Sequence, residues 1–282
     1  MLKRISALLK GRKIYRNMNK AYKASSTDIL KTSQSEGVLA LYMGGSFAKR
    51  DILHSKSDID YYLIVNSLKE VKPIFDKIAA EVSASGKGTV EIFDAGEMTE
   101  RRAKMCDGYI DFKYFGVDCE IFAYSFDRIS RLAINYLRWL LDIQRGDTKL
   151  IYGKDVIKTL KIEVRMADQL REDVKSLQTF VDEYSALAAE DPLKMKKLFF
   201  AAKAVFIIYA DYLSFREGKY IGSSKKLLIG LSREDTPIIS KTVELARRVI
   251  FDELNHRLVA DFLAQIPTFK EEVKSILESE GC

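Results

Sequence analysis

An apolar run ends in Gly44-Gly45-Ser46, eleven residues follow, and Asp58-Ile59-Asp60 opens a second apolar run. No other stretch restricts the fold as much. VLALYMGGSF (38–47) reads as a buried strand ending in glycine, and DIDYYLIV (58–65) as a second strand. Along a strand, residues two apart face the same way. Asp58 and Asp60 therefore project together, and Ile59 takes the other face. Two carboxylates side by side repel, and burying them unpaired is costly. A divalent cation resolves the conflict, because Mg²⁺ binds through one or two carboxylates plus substrate phosphate oxygens. Two such ions about 3.5–4 Å apart clamp the attacking and leaving oxygens of an in-line displacement.

The glycines and serine add the other half of the pattern. Gly45 lets the backbone approach a phosphate closely, and Ser46 offers a hydroxyl. FAKRDIL can begin a helix whose amides point at an anion, with Lys49 and Arg50 adding positive charge. A third acid is expected on a neighbouring strand. VDCEIFAY supplies Asp118 and Glu120, again two apart on one face. Glu120 sits among apolar residues, where a carboxylate needs a reason to be. Asp118 lies next to a turn and is explained by solvation. Strand alternation favours Glu120 and leaves Asp118 as the alternative.

Around this motif the chain changes texture near residue 125. Before it, short strand-like runs alternate with helical stretches. SLKEVKPIFDKIAAEVSAS (67–85) has helical spacing with Ser67 as N-cap, and TVEIFD (89–94) reads as a third strand. GYIDFKYF and VDCEIFAY, joined at Gly116-Val117, read as a hairpin. From Phe126 onward the periodicity is helical. FDRISRLAINYLRWLLDIQ places Ile129, Leu132, Ala133, Tyr136, Leu137 and Leu140 on one face. KLIYGKD reads as a connecting strand, and further helices are expected over about 157–188, 192–216 and 236–278, the last broken near His256. The fold class is α+β: a small mixed-sheet domain over 1–125, beginning with a basic helix (1–35), then an all-α bundle over 126–282. No internal repeat or low-complexity segment interrupts this.

Composition excludes several classes. Cys106, Cys119 and Cys282 are too few and scattered for a disulfide framework and read as cytoplasmic thiols. With His54 and His256 the only histidines, an imidazole-rich zinc site is excluded and a hard, oxygen-bound metal is expected. The apolar stretch 198–213 contains Lys203 and Asp211, is shorter than a membrane span and reads as a buried helix, so no membrane partner is expected. Residues 1–27 carry all their charge as Lys and Arg. Such a start occurs in transit peptides, but helical spacing of Ile5, Leu8, Leu9, Tyr15, Met18 and Tyr22 favours an integral amphipathic helix. The net charge of +6 permits an anionic partner without demanding one. Gly86-Lys87-Gly88-Thr89 lacks the earlier glycine of a P-loop and reads as a turn. Arg248 and His256 read as surface positions.

Gly45-Ser46, eleven residues and Asp58-x-Asp60 resemble the signature of the polymerase β nucleotidyltransferase superfamily. The layout as a whole is similar to antibiotic (aminoglycoside and lincosamide) nucleotidyltransferases, which join such a domain to a C-terminal helical bundle. The resemblance implies that Gly45 and Ser46, with Lys49 and Arg50 nearby, hold the triphosphate. It implies that Asp58 and Asp60 bind Mg²⁺ and that Glu120 is the third carboxylate, as metal ligand or general base. An Asp is common in the family where Glu120 stands, and a small residue where Arg50 stands. The implied activity moves a nucleoside monophosphate from an NTP, ATP first, to a hydroxyl of a small molecule, releasing pyrophosphate. The helical half would then be the acceptor-binding domain, forming the other wall of an interdomain cleft. Three other readings are a partner-binding or protein-modifying module of antitoxin type, nucleotide addition to RNA, and a silent nucleotide-binding remnant. The large helical half counts against the first. Near-neutral charge after residue 27 counts against RNA, and retained acids count against the last.

Overall fold

The computed structural model describes residues 2–34, 36–54, 57–86, 90–93, 106–132, 138–162, 165–252 and 254–279, with the side chains of 2–10, 92, 93 and 132 left aside. Asp94, Lys87-Gly88-Thr89, Ala133, Tyr136, Leu137 and Cys282, named above, lie outside the described residues. The chain divides into two compact units, Met1–Glu163 and Val164–Cys282. The sequence placed that boundary at 125/126. Residues 126–163 instead complete the first unit, for reasons visible in its sheet.

The described residues of the first unit form a six-stranded mixed sheet. Its strands are β1 (Val38–Met43), β2 (Ile59–Val65), β3 (Val90–Phe93), β4 (Gly108–Tyr114), β5 (Val117–Ser125) and β6 (Lys149–Gly153), in the order β3-β4-β5-β2-β1-β6. β2 and β5 run parallel, and every other neighbouring pair is antiparallel. The hairpin between β4 and β5 turns on Phe115 and Gly116, with φ of 53° and 76°. Both values are left-handed, as a tight hairpin turn demands. β6, read from sequence as a connecting strand, is the edge partner of β1.

One face of the sheet packs on α1 (Leu2–Ser33) and α3 (Val71–Ala84) through Met18, Ile29, Ile78, Leu63 and Ile121. α1 belongs to this core. Its Ser25 shares a buried 2.6 Å hydrogen bond with Tyr61, and Tyr114 donates to Asp28 at 2.8 Å. Ser67 and Glu70 form a reciprocal capping box ahead of α3. Pro73 is tolerated because it lies in the first turn, where amide hydrogens lack helical partners. The other face carries Tyr62, Tyr109, Phe122 and Tyr124 against residues of α4 (Phe126–Leu132) and α5 (Arg138–Arg145), with Trp139 stacked on Tyr62 at 4.7 Å. That aromatic layer is why 126–163 belong with the sheet.

The second unit is helical: α6 (Met166–Ala186), α7 (Pro192–Arg216), α8 (Lys225–Ser232), α9 (Pro237–Phe251) and α10 (His256–Ser279). The helix expected from 157 begins at 166. Ile157 is buried against the sheet, and the Gln144 side chain takes the carbonyls of Ile157 and Leu160. α8, capped by Ser224, lies between the helices expected over 192–216 and 236–278, where no element was assigned. α7 is long and apolar enough to cross a membrane, yet 72% of its most apolar window is buried. Its Phe206, Tyr209 and Tyr212 are core residues, as the sequence suggested. His256 is exposed, and Arg248 is half-buried with its guanidinium 3.6 Å from the Asp252 carboxylate.

Candidate active site

The turn after β1 is laid directly on β2. The Gly44 amide donates to the Asp60 carbonyl at 2.8 Å. Gly45 has φ +69°, and a Cβ there would stand 2.0 Å from Asp60 Oδ2. A Cβ on Gly44 would stand 2.2 Å from the Tyr62 ring. Gly45 is therefore required twice, by its left-handed backbone and by the carboxylate filling its side-chain space.

The helix that follows, α2 (Gly45–Ala48), is a single turn and not the longer helix expected from FAKRDIL. Arg50, at φ 51°, reverses the chain. Its amide donates to the Phe47 carbonyl at 3.2 Å, and the Asp51 amide donates to that of Ser46 at 3.0 Å. This is the paired bonding of a Schellman stop, built on an arginine where glycine is usual. Ser46 sits half-buried at the second position of the turn. Lys49, expected at phosphate groups, has its ammonium 2.7 Å from the Asp142 carboxylate, with both side chains about nine-tenths buried. An ammonium that deep needs a countercharge, and α5 supplies it. Lys49 thus ties the Gly-Ser turn to α5. Arg50 is exposed.

Parallel pairing sets Asp60 opposite Glu120, and Asp58 stands two residues before Asp60. Oxygens of Asp58, Asp60 and Glu120 all lie within 4.8 Å of one another, and the three residues are half-buried. The structure brings together the triad that the sequence chose. Asp118 goes elsewhere, pairing with Lys113 at 3.2 Å with both side chains largely exposed. Two acids were not singled out beforehand. Asp142 is one. The other is Asp111, which the hairpin places opposite Glu120 on the side away from Asp60. A two-residue turn at Phe115-Gly116 fixes that register, so the sequence held the signal for Asp111. Asp142 lies far along the chain and carried none.

Tyr62 forms the floor on the aromatic side. Burial pushes its phenol far above the usual tyrosine range, and the nearby charges of Asp60, Asp142 and Asp58 push the same way. It stays protonated at neutral pH. Three carboxylates at this spacing are costly unless a cation balances them. The donor set is all oxygen and half-buried, and Gly45 brings backbone against one of its carboxylates. This fits a hard divalent ion such as Mg²⁺.

No family model matches the sequence, and no curated protein matches it. Solved structures resemble the fold at low identity. Spectinomycin adenyltransferase AAD(9) from Enterococcus faecialis, with ATP and spectinomycin, is 14% identical over 92% of this chain and 99% of its own, with a TM-score of 0.47. A nucleotidyltransferase-like protein from Exiguobacterium sibiricum is 12% identical over 90% and 75%, with a TM-score of 0.31. A STING-associated CdnE c-di-GMP synthase from Capnocytophaga granulosa is 12% identical over 93% and 83%, with a TM-score of 0.33. In this chain's own geometry, the architecture has the parts that the polymerase β resemblance implied. It has a mixed sheet, a Gly-Ser turn between the first two strands, a third acid on the strand parallel to the second, and a following helical unit.

Proposed function

We propose that this chain is a Mg²⁺-dependent nucleotidyltransferase that moves a nucleoside monophosphate from an NTP, ATP by preference, to a hydroxyl of a small molecule. The observation that carries the reading is the convergence of Asp58, Asp60 and Glu120 within 4.8 Å, beside a glycine whose Cβ space Asp60 occupies. Asp58 and Asp60 would hold the metal, with Glu120 as a further ligand or as the base. Bound Mg²⁺ supplies charge stabilisation for phosphate oxygens.

The chain's own groups do the rest. Gly45 and the Ser46 hydroxyl seat the triphosphate. The acceptor oxygen forms a bond to the α-phosphorus as the bond to pyrophosphate breaks, and its proton passes to Glu120 or to solvent. Catalysis of this kind is positioning plus electrostatics. Buried, unbridged Cys106 and Cys119 fit the reducing cytoplasm.

The test is a screen of NTPs and hydroxylated metabolites with Mg²⁺, reading pyrophosphate release. Asp58→Asn and Asp60→Asn should each abolish turnover while the protein stays folded, because lost like-charge repulsion offsets any lost contact. Glu120→Gln should cut turnover more than NTP binding, and Asp118→Asn should do little. Near wild-type turnover in either aspartate variant would overturn the assignment. A larger loss at Asp118 than at Glu120 would reassign the third carboxylate.

A further inference from the structure

α1 is held from one side only. Met18, Ala21 and Ile29 are buried in the core of the first unit, and Ser25 and Asp28 take buried hydrogen bonds there. At 100° per residue, the opposite side carries Arg12, Lys13, Arg16, Lys20 and Lys23 within a sector of about 100°. All of them are exposed. At 1.5 Å per residue they form a stripe roughly 16 Å long. No acid occurs in residues 1–27, and Asp28, the first, is buried. Among the described residues, none of these cations forms an ion pair.

Exposed aromatic rings border that stripe. Phe115, at the tip of the β4–β5 turn, is 43% exposed, with the Lys20 ammonium 4.0 Å over its ring centre. Tyr15, 48% exposed, lies just past Arg12 on the other flank. Towards the start of α1 the same sector becomes apolar, because Leu2, Ile5 and Leu9 fall within it by position along the helix. A line of apolar residues therefore runs into a line of cations on one helix face.

That order decides between partners. A nucleic-acid backbone would meet the cations, but its phosphates offer nothing apolar to Leu2, Ile5 and Leu9, and single strands are gripped in a charged groove that stacks bases. An anionic bilayer surface meets every part of the face. It takes apolar residues at the acyl boundary, aromatic rings at headgroup level and cations at the charged headgroups. Weak insertion joined to a polybasic patch gives attachment that neither supplies alone. We propose that this face of α1, with Phe115, docks the protein on an anionic lipid membrane. The surface is separate from α7, the apolar helix on which the expectation of no membrane partner rests. It is also independent of the nucleotidyl-transfer reading, since no residue of the triad or of the Gly-Ser turn takes part.

The test is co-sedimentation of the full chain with vesicles of phosphatidylcholine, alone or mixed with phosphatidylglycerol, beside a titration with labelled single-stranded RNA. Each cation near a charged leaflet strengthens binding roughly fivefold, so the mixed vesicles should bind at least about tenfold more tightly than the neutral ones. Added salt should weaken that binding. Arg16→Glu with Lys20→Glu, both exposed, should leave thermal unfolding unchanged and cost at least about twentyfold in vesicle binding. Ile5→Ser with Leu9→Ser, which leaves the charge unchanged, should cost at least about tenfold on vesicles and nothing on RNA. Equal binding to both kinds of vesicle, binding to neither, or vesicle binding that survives the charge reversal would each overturn the proposal. Tighter capture of RNA than of mixed vesicles, with the serine pair without effect, would make the face a nucleic-acid surface and overturn it as well.

Discussion

Two residues of the Gly-Ser turn adopt the left-handed backbone, and they should respond to substitution in opposite directions. At Gly45 any side chain adds about 1–2 kcal/mol of backbone strain and a Cβ 2.0 Å from Asp60 Oδ2. Gly45→Ala should therefore destabilise the protein by at least that amount in urea titrations and weaken metal binding, because Asp60 must move. Arg50 already bears the strain at φ 51°, with its side chain exposed. Arg50→Gly should stabilise by about 0.5–1 kcal/mol, the relieved strain less the extra entropy of an unfolded glycine. A fall in NTP affinity on that substitution, at unchanged or higher stability, would instead restore Arg50 to the phosphate site. At this scale much of the site was legible. Asp58, Asp60 and Glu120 follow from strand alternation, which is local. The Lys49–Asp142 pair was not legible, because charge beside a phosphate-type turn reads the same whether it meets substrate or a carboxylate from a distant helix.

That distant helix makes the Lys49–Asp142 pair the informative contact between elements. Removing one partner leaves the other charge buried, which costs about 3–5 kcal/mol, whereas replacing both with apolar groups is often near neutral. Lys49→Met should strongly destabilise, and Lys49→Met with Asp142→Leu should recover most of the loss. The double variant should also keep NTP affinity within a few fold, since Lys49 acts by holding the turn. A tenfold loss of affinity in a stable double variant would show that the ammonium reaches the nucleotide. Among elements, the hairpin, α1, α3 and α7 were legible from period and caps. β6 was legible as a strand but not in its place, because edge pairing with β1 is long-range. α8 was missed because an eight-residue helix offers little periodicity to read.

At the scale of the whole molecule, the sequence located a change from mixed to helical texture but not where the sheet's packing ends. Texture reports local conformation, and a unit boundary reports which surfaces are buried together. Residues 149–153 pair with β1, matching Ala40 with Gly153 and Met43 with Lys149. The Lys154 amide donates to the Leu39 carbonyl at 3.0 Å, and the Tyr42 hydroxyl donates to Asp155 at 3.0 Å. Trp139, Leu140 and Ile143 cover one face of the sheet. A fragment ending at 125 would expose that aromatic face and leave one edge of β1 unpaired, with unmet backbone groups and a template for aggregation. Burying one large apolar side chain is worth about 1.5–3 kcal/mol, so losing these three alone removes an amount comparable to the 5–15 kcal/mol that holds a domain folded. Fragment 1–163 should therefore give a cooperative thermal transition and dispersed amide resonances, and bind Mn²⁺ through the triad. Fragment 1–125 should be unfolded or insoluble, and fragment 164–282 should be helical on its own, with a core that includes Phe206, Phe262 and Phe269. A well-folded 1–125 fragment that binds Mn²⁺ as tightly as 1–163 would return the boundary to the place the sequence suggested.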